Sequence, residues 1–319
     1  MTGAGVEMWT LGVGIPNHTR AQAERAEAAG WTGLALVDSQ NLAGDCYVEL
    51  ALAAKATDRL LLGTGVTNPY TRHPAVTASA IATVQAESGG RAVLGIGRGD
   101  SALAHLGLAG RPAVSRIHWI RPDHPDRPKV PLDVFATGPR VLAVGARHAD
   151  RVTLAVGADP ARVEWGVATV RRAEEDAGRA PGTVRIGACV NVVVHDDRAE
   201  GMRLGSGGIA SFARFSVMHG RATGPVSGTQ RQVLESVHRA YDMNRHTMAG
   251  APQAERLTAE FASSYAVIGP AGECIQRLQA LTALGAERFV VIGPSLDADR
   301  EQAARATRRF VEEVLPAFS

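Results

Sequence analysis

Polar and glycine-rich segments follow four short apolar runs in this chain of 319 residues. The carboxylate, amide, hydroxyl and guanidinium groups of such segments could orient a ligand, relay a proton or bind an anion. Each segment is more polar than a simple connection requires, so we take these residues as the candidate site. In chain order they are Asp38; Gly65, Val66, Thr67 and Asn68; Arg98 and Asp100; and Thr137, Gly138, Pro139 and Arg140.

Two of these segments could bind an anion such as a phosphate. Arg98 lies between two glycines, and its guanidinium could hold a phosphate through paired hydrogen bonds. The segment 137–140 leads directly into a predicted helix, whose free backbone N–H groups favour an anion. Each has an ordinary alternative: an ion pair between Arg98 and Asp100, and a tight turn with Pro139 in the first position of the helix.

Asp38 directly follows a wholly apolar run and is our candidate catalytic residue. Its carboxylate could orient a ring or relay a proton, or it could only cap the next turn. The sequence contains no G-x-S-x-G, H-E-x-x-H or P-loop motif. We therefore predict no metal site and expect a bound cofactor to supply the reactivity.

The elements that must position these residues are eight apolar runs, nearly every one followed by a helical stretch. Continuous rather than alternating apolar residues indicate parallel strands that are buried on both faces. Eight such units predict a (β/α)8 barrel rather than an open doubly wound sheet, because the first strand lacks a G-x-G-x-x-G motif. The predicted strands are Met8–Gly14, Gly33–Asp38, Leu60–Val66, Arg91–Gly97, Val130–Ala136, Arg151–Val156, Arg185–Val194 and Arg288–Ile292.

We predict a single barrel domain over residues 1–319, with two irregular regions. Near 101–130 the sequence is rich in proline and contains little that could form a full crossover helix. Either an irregular excursion replaces that helix, or part of the chain is missing at Gly110–Arg111. A helical insertion is predicted near 198–260, in which Tyr241–Thr247 could belong to a substrate lid or to a helix end.

The charge balance argues against partners that need a concentrated basic surface. Lysine and arginine number 34 against 32 acidic residues, which gives a net charge of +2. We therefore expect a small-molecule substrate, and neither a nucleic acid nor a membrane. The N-terminus lacks the features of a signal peptide and the three cysteines lie far apart, so we predict a cytoplasmic protein.

Several segments resemble the bacterial-luciferase-like flavin oxidoreductases. They include GLALVDSQ (33–40), LLLGTGVTNPYTRHPAV (60–76), RAVLGIGRGDSAL (91–103) and FATGPRVLAVGARHADRV (135–152). The string G-V-T-N-P-Y-T-R-H-P is the most specific of these, and the resemblance extends over nearly the whole chain. Within that superfamily the sequence is most similar to the methylenetetrahydromethanopterin reductase branch, which uses the deazaflavin coenzyme F420.

This resemblance implies a (β/α)8 barrel with a non-proline cis peptide bond between Gly65 and Val66. The bond would form a bulge behind the cofactor ring. Arg98 and the segment 137–139 would lie near the cofactor phosphate. Asp38, Asn68 and Asp100 are further candidates for contact with the ring or the substrate.

The resemblance also shows a departure and leaves more than one function open. Many F420-dependent members have an Asp-His or Glu-His pair after the second strand, whereas here Asp38 precedes Ser39, so that relay is absent or rebuilt. The implied function is hydride transfer between F420 and a C=N, C=C or C=O bond of a small organic substrate. The alternatives are an FMN-dependent monooxygenase and a non-catalytic flavin-binding relative. We also expect a homodimer.

Overall fold

The computed structural model describes residues 5–40, 43–99, 130–218 and 220–318. Its strands form a closed parallel ring of eight, because the first pairs with the last and the seventh pairs with both the sixth and the last. This closure confirms the predicted (β/α)8 barrel. The barrel strands are β1 (Glu7–Gly12), β2 (Gly33–Leu36), β3 (Leu61–Thr64), β4 (Ala92–Ile96), β5 (Leu132–Ala136), β6 (Arg151–Leu154), β7 (Arg185–Val194) and β9 (Arg288–Ile292).

One further strand, β8 (Val267–Gly269), lies outside the ring. It pairs only with the final residues of β7, from Val192 to Val194. The sequence did not predict β8, because a run of three apolar residues is too short to be distinguished from a loop.

The helices pack around the outside of the barrel. Proline stands in the first turn of three of them, where its missing N–H has no intrahelical partner to lose. Asp100, the predicted connection at 101–129 and the predicted join at Gly110–Arg111 lie outside the described residues. The described helices are α1 (Thr19–Ala28), α2 (Cys46–Ala56), α3 (Pro74–Glu87), α4 (Pro139–His148), α5 (Pro160–Asp176), α6 (Arg198–Phe215), α7 (Gly228–Arg239), α8 (Ala259–Tyr265), α9 (Ala271–Ala283) and α10 (Arg300–Arg309).

The region near 198–260 is helical and covers part of one barrel end. Helices α6, α7 and α8 bury an apolar cluster of their own, separate from the cluster under the outer helices. Phe212 of α6 packs both against this cluster and against the apolar side chains inside the barrel, where Ile292 at the end of β9 also packs. Helix α6 therefore lies across the carboxyl-terminal end of the barrel.

Trp9 fills the middle of the barrel interior and is almost completely buried. Two glycines make room for its ring: a Cβ at Gly33 would lie 2.3 Å from Trp9 Cδ2, and one at Gly63 would lie 3.1 Å from Cζ3. The interior is therefore a packed core rather than a channel.

Charged residues close the amino-terminal end of the barrel. Arg288 forms a fully buried ion pair with Asp133, which also accepts a hydrogen bond from Thr153 Oγ1 at 2.9 Å. Burial lowers the pKa of Arg288 to about 10, and the guanidinium carbon lies 4.6 Å from the centre of the Trp9 ring. At neutral pH the arginine therefore stays charged and depends on the Asp133 carboxylate for compensation.

Replacing Asp133 with asparagine is expected to destabilise the fold strongly. The substitution keeps the side-chain shape but removes the ion-pair partner of the buried Arg288 charge, which costs about 3–5 kcal/mol of unfolding free energy. Urea denaturation of Asp133→Asn and wild type measures this difference. Glu301→Gln, which breaks the exposed Arg305–Glu301 pair, is the control and should leave the urea midpoint unchanged. Equal midpoints for Asp133→Asn and wild type would show that the buried pair is not needed.

Candidate active site

Asp38 lies buried at the carboxyl-terminal end of β2 and joins two neighbouring loops. Thr67 Oγ1 donates a hydrogen bond to Asp38 Oδ2 at 2.7 Å, and Gln40 Nε2 donates one to Oδ1 at 2.8 Å. The N-cap of α2 is Asp45 and not Asp38, because its side chain accepts from the first backbone N–H groups of that helix. The carboxylate of Asp38 is therefore held in one orientation by side chains from the loops after β2 and β3.

The peptide bond between Gly65 and Val66 is cis, as the resemblance implied. The chain after it is tied to β4, since Thr67 N donates to Gly95 O at 3.0 Å and Gly97 N donates to Thr67 O at 2.8 Å. A Cβ at position 65 would lie 2.7 Å from Leu11 Cδ1, so only glycine fits against the barrel interior. These contacts fix a bulge at the mouth of the barrel.

Asn68 completes this loop with a buried side-chain amide. Its Oδ1 accepts hydrogen bonds from the backbone N–H groups of Tyr70 at 3.0 Å and Thr71 at 3.1 Å. Gly99 has a φ of 76° and packs on this side chain, because a Cβ there would lie only 2.4 Å from Asn68 Cβ. The loops after β3 and β4 are therefore in direct contact.

Several buried polar atoms near Asp38 have no hydrogen-bond partner among the described residues. Buried polar groups in folded proteins are usually paired, so a cluster of unpaired ones is typical of a site that binds a polar ligand. The atoms are Gln40 Oε1, Tyr47 Oη, Glu49 Oε2, Asn68 Nδ2 and Thr71 Oγ1.

Two ionisable groups beside Asp38 are held in their neutral forms. Burial and the nearby Asp38 and Asp45 carboxylates raise the pKa of the Cys46 thiol. Burial also raises the pKa of Tyr47. At neutral pH Cys46 is therefore a thiol rather than a nucleophilic thiolate.

The candidate anion-binding residues follow the next two strands. Arg98 is half-buried two residues after β4, and Thr137 is half-buried directly after β5. Gly138 is the N-cap of α4 with no side-chain cap, Pro139 is in its first turn as predicted, and both Pro139 and Arg140 are exposed. Because β4 and β5 are adjacent parallel strands, Arg98 and the start of α4 lie on the same side of the barrel mouth.

Sequence analysis missed two residues of this end of the barrel, and it gave no role to Gln40, which lies in the segment 33–40 that carries the family resemblance. Tyr47 comes close to Asp38 only through the position of α2. Asn191 is a buried amide on β7, and the signal for it was a lone polar residue in the apolar run RIGACVNVVV.

Within the described ranges, no group of three or more histidine, cysteine or acidic side chains is placed to hold a metal ion. Among the described helices, none has the length and apolar character needed to cross a membrane.

The solved structures that share this fold include two F420-dependent enzymes. A coenzyme F420-dependent tetrahydromethanopterin reductase from Methanopyrus kandleri superposes with a TM-score of 0.74 at 20% identity and covers 99% of this chain and 100% of its own. An F420-dependent secondary alcohol dehydrogenase, in complex with an F420-acetone adduct, gives a TM-score of 0.68 at 16% identity with the same coverage.

Similar sequences include two named reductases. A 5,10-methylenetetrahydromethanopterin reductase of Methanolobus tindarius is 26% identical over 311 residues, which cover 89% of this chain and 92% of the relative. A phthiodiolone/phenolphthiodiolone dimycocerosates ketoreductase of Mycobacterium bovis is 31% identical over 177 residues, 46% of each chain.

The family model described as luciferase-like monooxygenase matches residues 5–115 and 112–288 of this chain. The two matches span most of the barrel: the first contains β1 to β4, and the second contains β5 to β7 together with the outer strand β8. The chain therefore belongs to the luciferase-like monooxygenase family.

Proposed function

We propose that this protein is an F420-dependent oxidoreductase that transfers a hydride between the deazaflavin and a small organic substrate. The observation that carries the proposal is the hydrogen-bond network of Asp38, with polar atoms that have no described partner at the same end of the barrel. The names of the two reductases that are similar in sequence support a reduction rather than an oxygenation.

The ring of the cofactor would lie against the bulge. Leu11, Ala35 and Gly65 form an apolar surface there, in which the side-chain atoms of the first two approach Gly65 closely. Gln40 Nε2 is already used by Asp38, so its unpaired Oε1 is available to accept a hydrogen bond from a ring N–H. Asn68 Nδ2 is available as a donor to a ring carbonyl.

Asp38 would orient the ring or the substrate rather than act through a neighbouring histidine. Both of its oxygens already accept hydrogen bonds, one from Thr67 and one from Gln40. This arrangement holds the carboxylate and, through it, the Gln40 amide in place. The Asp-His relay of other members is therefore rebuilt here as an Asp38–Gln40 pair, which positions groups but does not move a proton.

The phosphate-bearing tail would lie towards Arg98 and the start of α4. Arg98 carries a guanidinium group, whose N–H donors can bind a phosphate, and the first backbone N–H groups of α4 favour an anion. A Cβ at Gly138 would meet no atom of the described residues within 4 Å, which favours the approach of a ligand to the backbone there. Thr137 and Arg140 flank this segment and complete the predicted tail site, whereas Asp100 lies outside the described residues.

When bound, reduced F420 supplies the hydride. The protein would contribute by aligning the cofactor with the substrate and by excluding water from the carboxyl-terminal end of the barrel, which α6 covers. The acceptor would be a small molecule that carries a C=N, C=C or C=O bond. We further propose that residues 1–319 form one barrel domain in the cytoplasm.

Calorimetric titration with oxidised F420 and with FMN tests the choice of cofactor. We expect F420 to bind at least about ten-fold more tightly, which corresponds to ~1.4 kcal/mol. Micromolar binding of FMN alone, with oxygen uptake on reduction, would favour the monooxygenase and contradict the proposal. Tight F420 binding without turnover of any acceptor would favour the non-catalytic relative.

The same titration with Arg98→Gln measures how much the phosphate tail, as distinct from the ring, contributes to the affinity for F420. The variant removes a charge-assisted contact to the phosphate, so F420 affinity should fall about ten-fold or more. A deazaflavin that lacks the phosphate tail should bind wild type and variant equally. Arg305→Gln, on the exposed face of α10, is the matched control and should bind F420 as wild type does. An equal loss for both ligands would place Arg98 elsewhere than at the phosphate.

We also propose a homodimer formed through α2 and α3. These adjacent helices expose three apolar side chains that a second copy of the chain could cover: Val48 (57%), Leu52 (40%) and Val76 (51%). Leu52→Glu should convert a dimer into a monomer in light scattering. Leu296→Glu, at an apolar residue that is 69% exposed elsewhere, should not. A monomeric wild-type protein would rule out the dimer.

A further inference from the structure

Asn191 is a buried amide on the barrel wall that the proposed cofactor contacts leave unused. It is 2% exposed, and its Nδ2 has no hydrogen-bond partner in the part of the chain that the structure describes. It pairs with Ile292 at the end of β9. Cys189, two residues earlier on β7, and Ile292 both belong to the cluster inside the barrel. Because side chains alternate along a strand, Asn191 points into the barrel at its carboxyl-terminal end.

Among the described residues, the surroundings of Asn191 offer its Nδ2 no partner. Its neighbour on β9, Ile292, is apolar and packs with Phe212 of α6 against the cluster inside the barrel. Helix α6 passes close by at Gly208, where a Cβ would lie 2.7 Å from Asn191 Nδ2. Glycine at this position therefore leaves space beside the amide. The amide nitrogen and oxygen of Asn191 can exchange places by a half-turn about the side-chain bond. This turn breaks no hydrogen bond donated by Nδ2.

The topology places Asn191 directly opposite the bulge. The ring order β1-β2-β3-β4-β5-β6-β7-β9 puts β7 four strands from β3 in either direction. A cofactor ring against Gly65–Val66 would therefore have one face towards β3 and the other towards β7. The acceptor must lie on the open face, between the ring and the wall that carries Asn191.

We propose that the Asn191 amide donates a hydrogen bond to the oxygen or nitrogen of a C=O or C=N bond in the acceptor. This inference rests on the proposed function and narrows its substrate class to carbonyl and imine compounds. The acceptor carbon gains a hydride from the reduced deazaflavin, the π bond breaks, and the heteroatom takes a proton from solvent water as the product leaves. Asn191 keeps its own proton and stabilises the negative charge that develops on the heteroatom.

Selective labelling with [15N]asparagine gives a direct test, because the chain holds only five asparagines. The side-chain signals of Asn191 are identified by their loss in Asn191→Leu, or in Asn191→Ser should the first variant not fold. Two probes of similar shape are added to the protein loaded with F420: cyclohexanone, which has a C=O group, and methylenecyclohexane, which has a C=CH2 group instead. Cys189→Ser, deeper in the barrel on the same strand, is the control variant.

We expect cyclohexanone to shift the Asn191 amide signals saturably, in wild type and in Cys189→Ser alike. Methylenecyclohexane at the same concentrations should leave these signals in place. F420 binding without a ketone-induced shift, or with equal shifts from both probes, would overturn the role of Asn191 and leave the proposed function intact. Failure of F420 to bind in a separate calorimetric titration would overturn the proposed function and this inference together.

Discussion

Parallel pairing around a closed ring is the constraint on which the rest of this structure depends. Each barrel strand runs in the same direction, so the loops that follow β2, β3, β4 and β5 all open at one end. Side chains that are far apart in sequence meet there, as the hydrogen bond between Asp38 and Thr67 shows. Closure through β9 also places β7 across the barrel from β3, and this gives the mouth two opposite walls.

The two ends of the barrel bury different kinds of polar group. At the amino-terminal end the charges of Arg151, Arg288 and Arg185 outweigh the effect of burial and hold the pKa of Glu7 below its ordinary value. Ion pairs compensate these charges, although Arg151 Nε and two nitrogens of Arg288 have no hydrogen-bond partner among the described residues. At the carboxyl-terminal end the atoms without a described partner are amide and hydroxyl groups, such as Asn68 Nδ2 and Thr71 Oγ1. Burying these atoms costs stability unless a ligand pairs with them.

Sequence patterns predicted the strands well because a strand buried on both faces leaves a continuous apolar run. The position of Asp38 just after such a run was enough to single it out. The cis bond at Gly65–Val66 came from the resemblance, since no local pattern specifies it. Periodicity alone could not find Asn191, because whether a strand residue faces the barrel interior or the helices follows only from how the ring closes. The pair of Asp133 and Arg288 joins residues 155 positions apart, and composition gives no sign of it.

A crystal structure of the protein with oxidised F420 tests the central claim most directly. We expect the deazaflavin ring against the Gly65–Val66 peptide, within hydrogen-bond distance of Gln40 or Asn68, with its phosphate beside Arg98 and the first turn of α4. A ring bound at any other surface, or a mouth filled by the protein's own side chains with F420 absent, would contradict the claim.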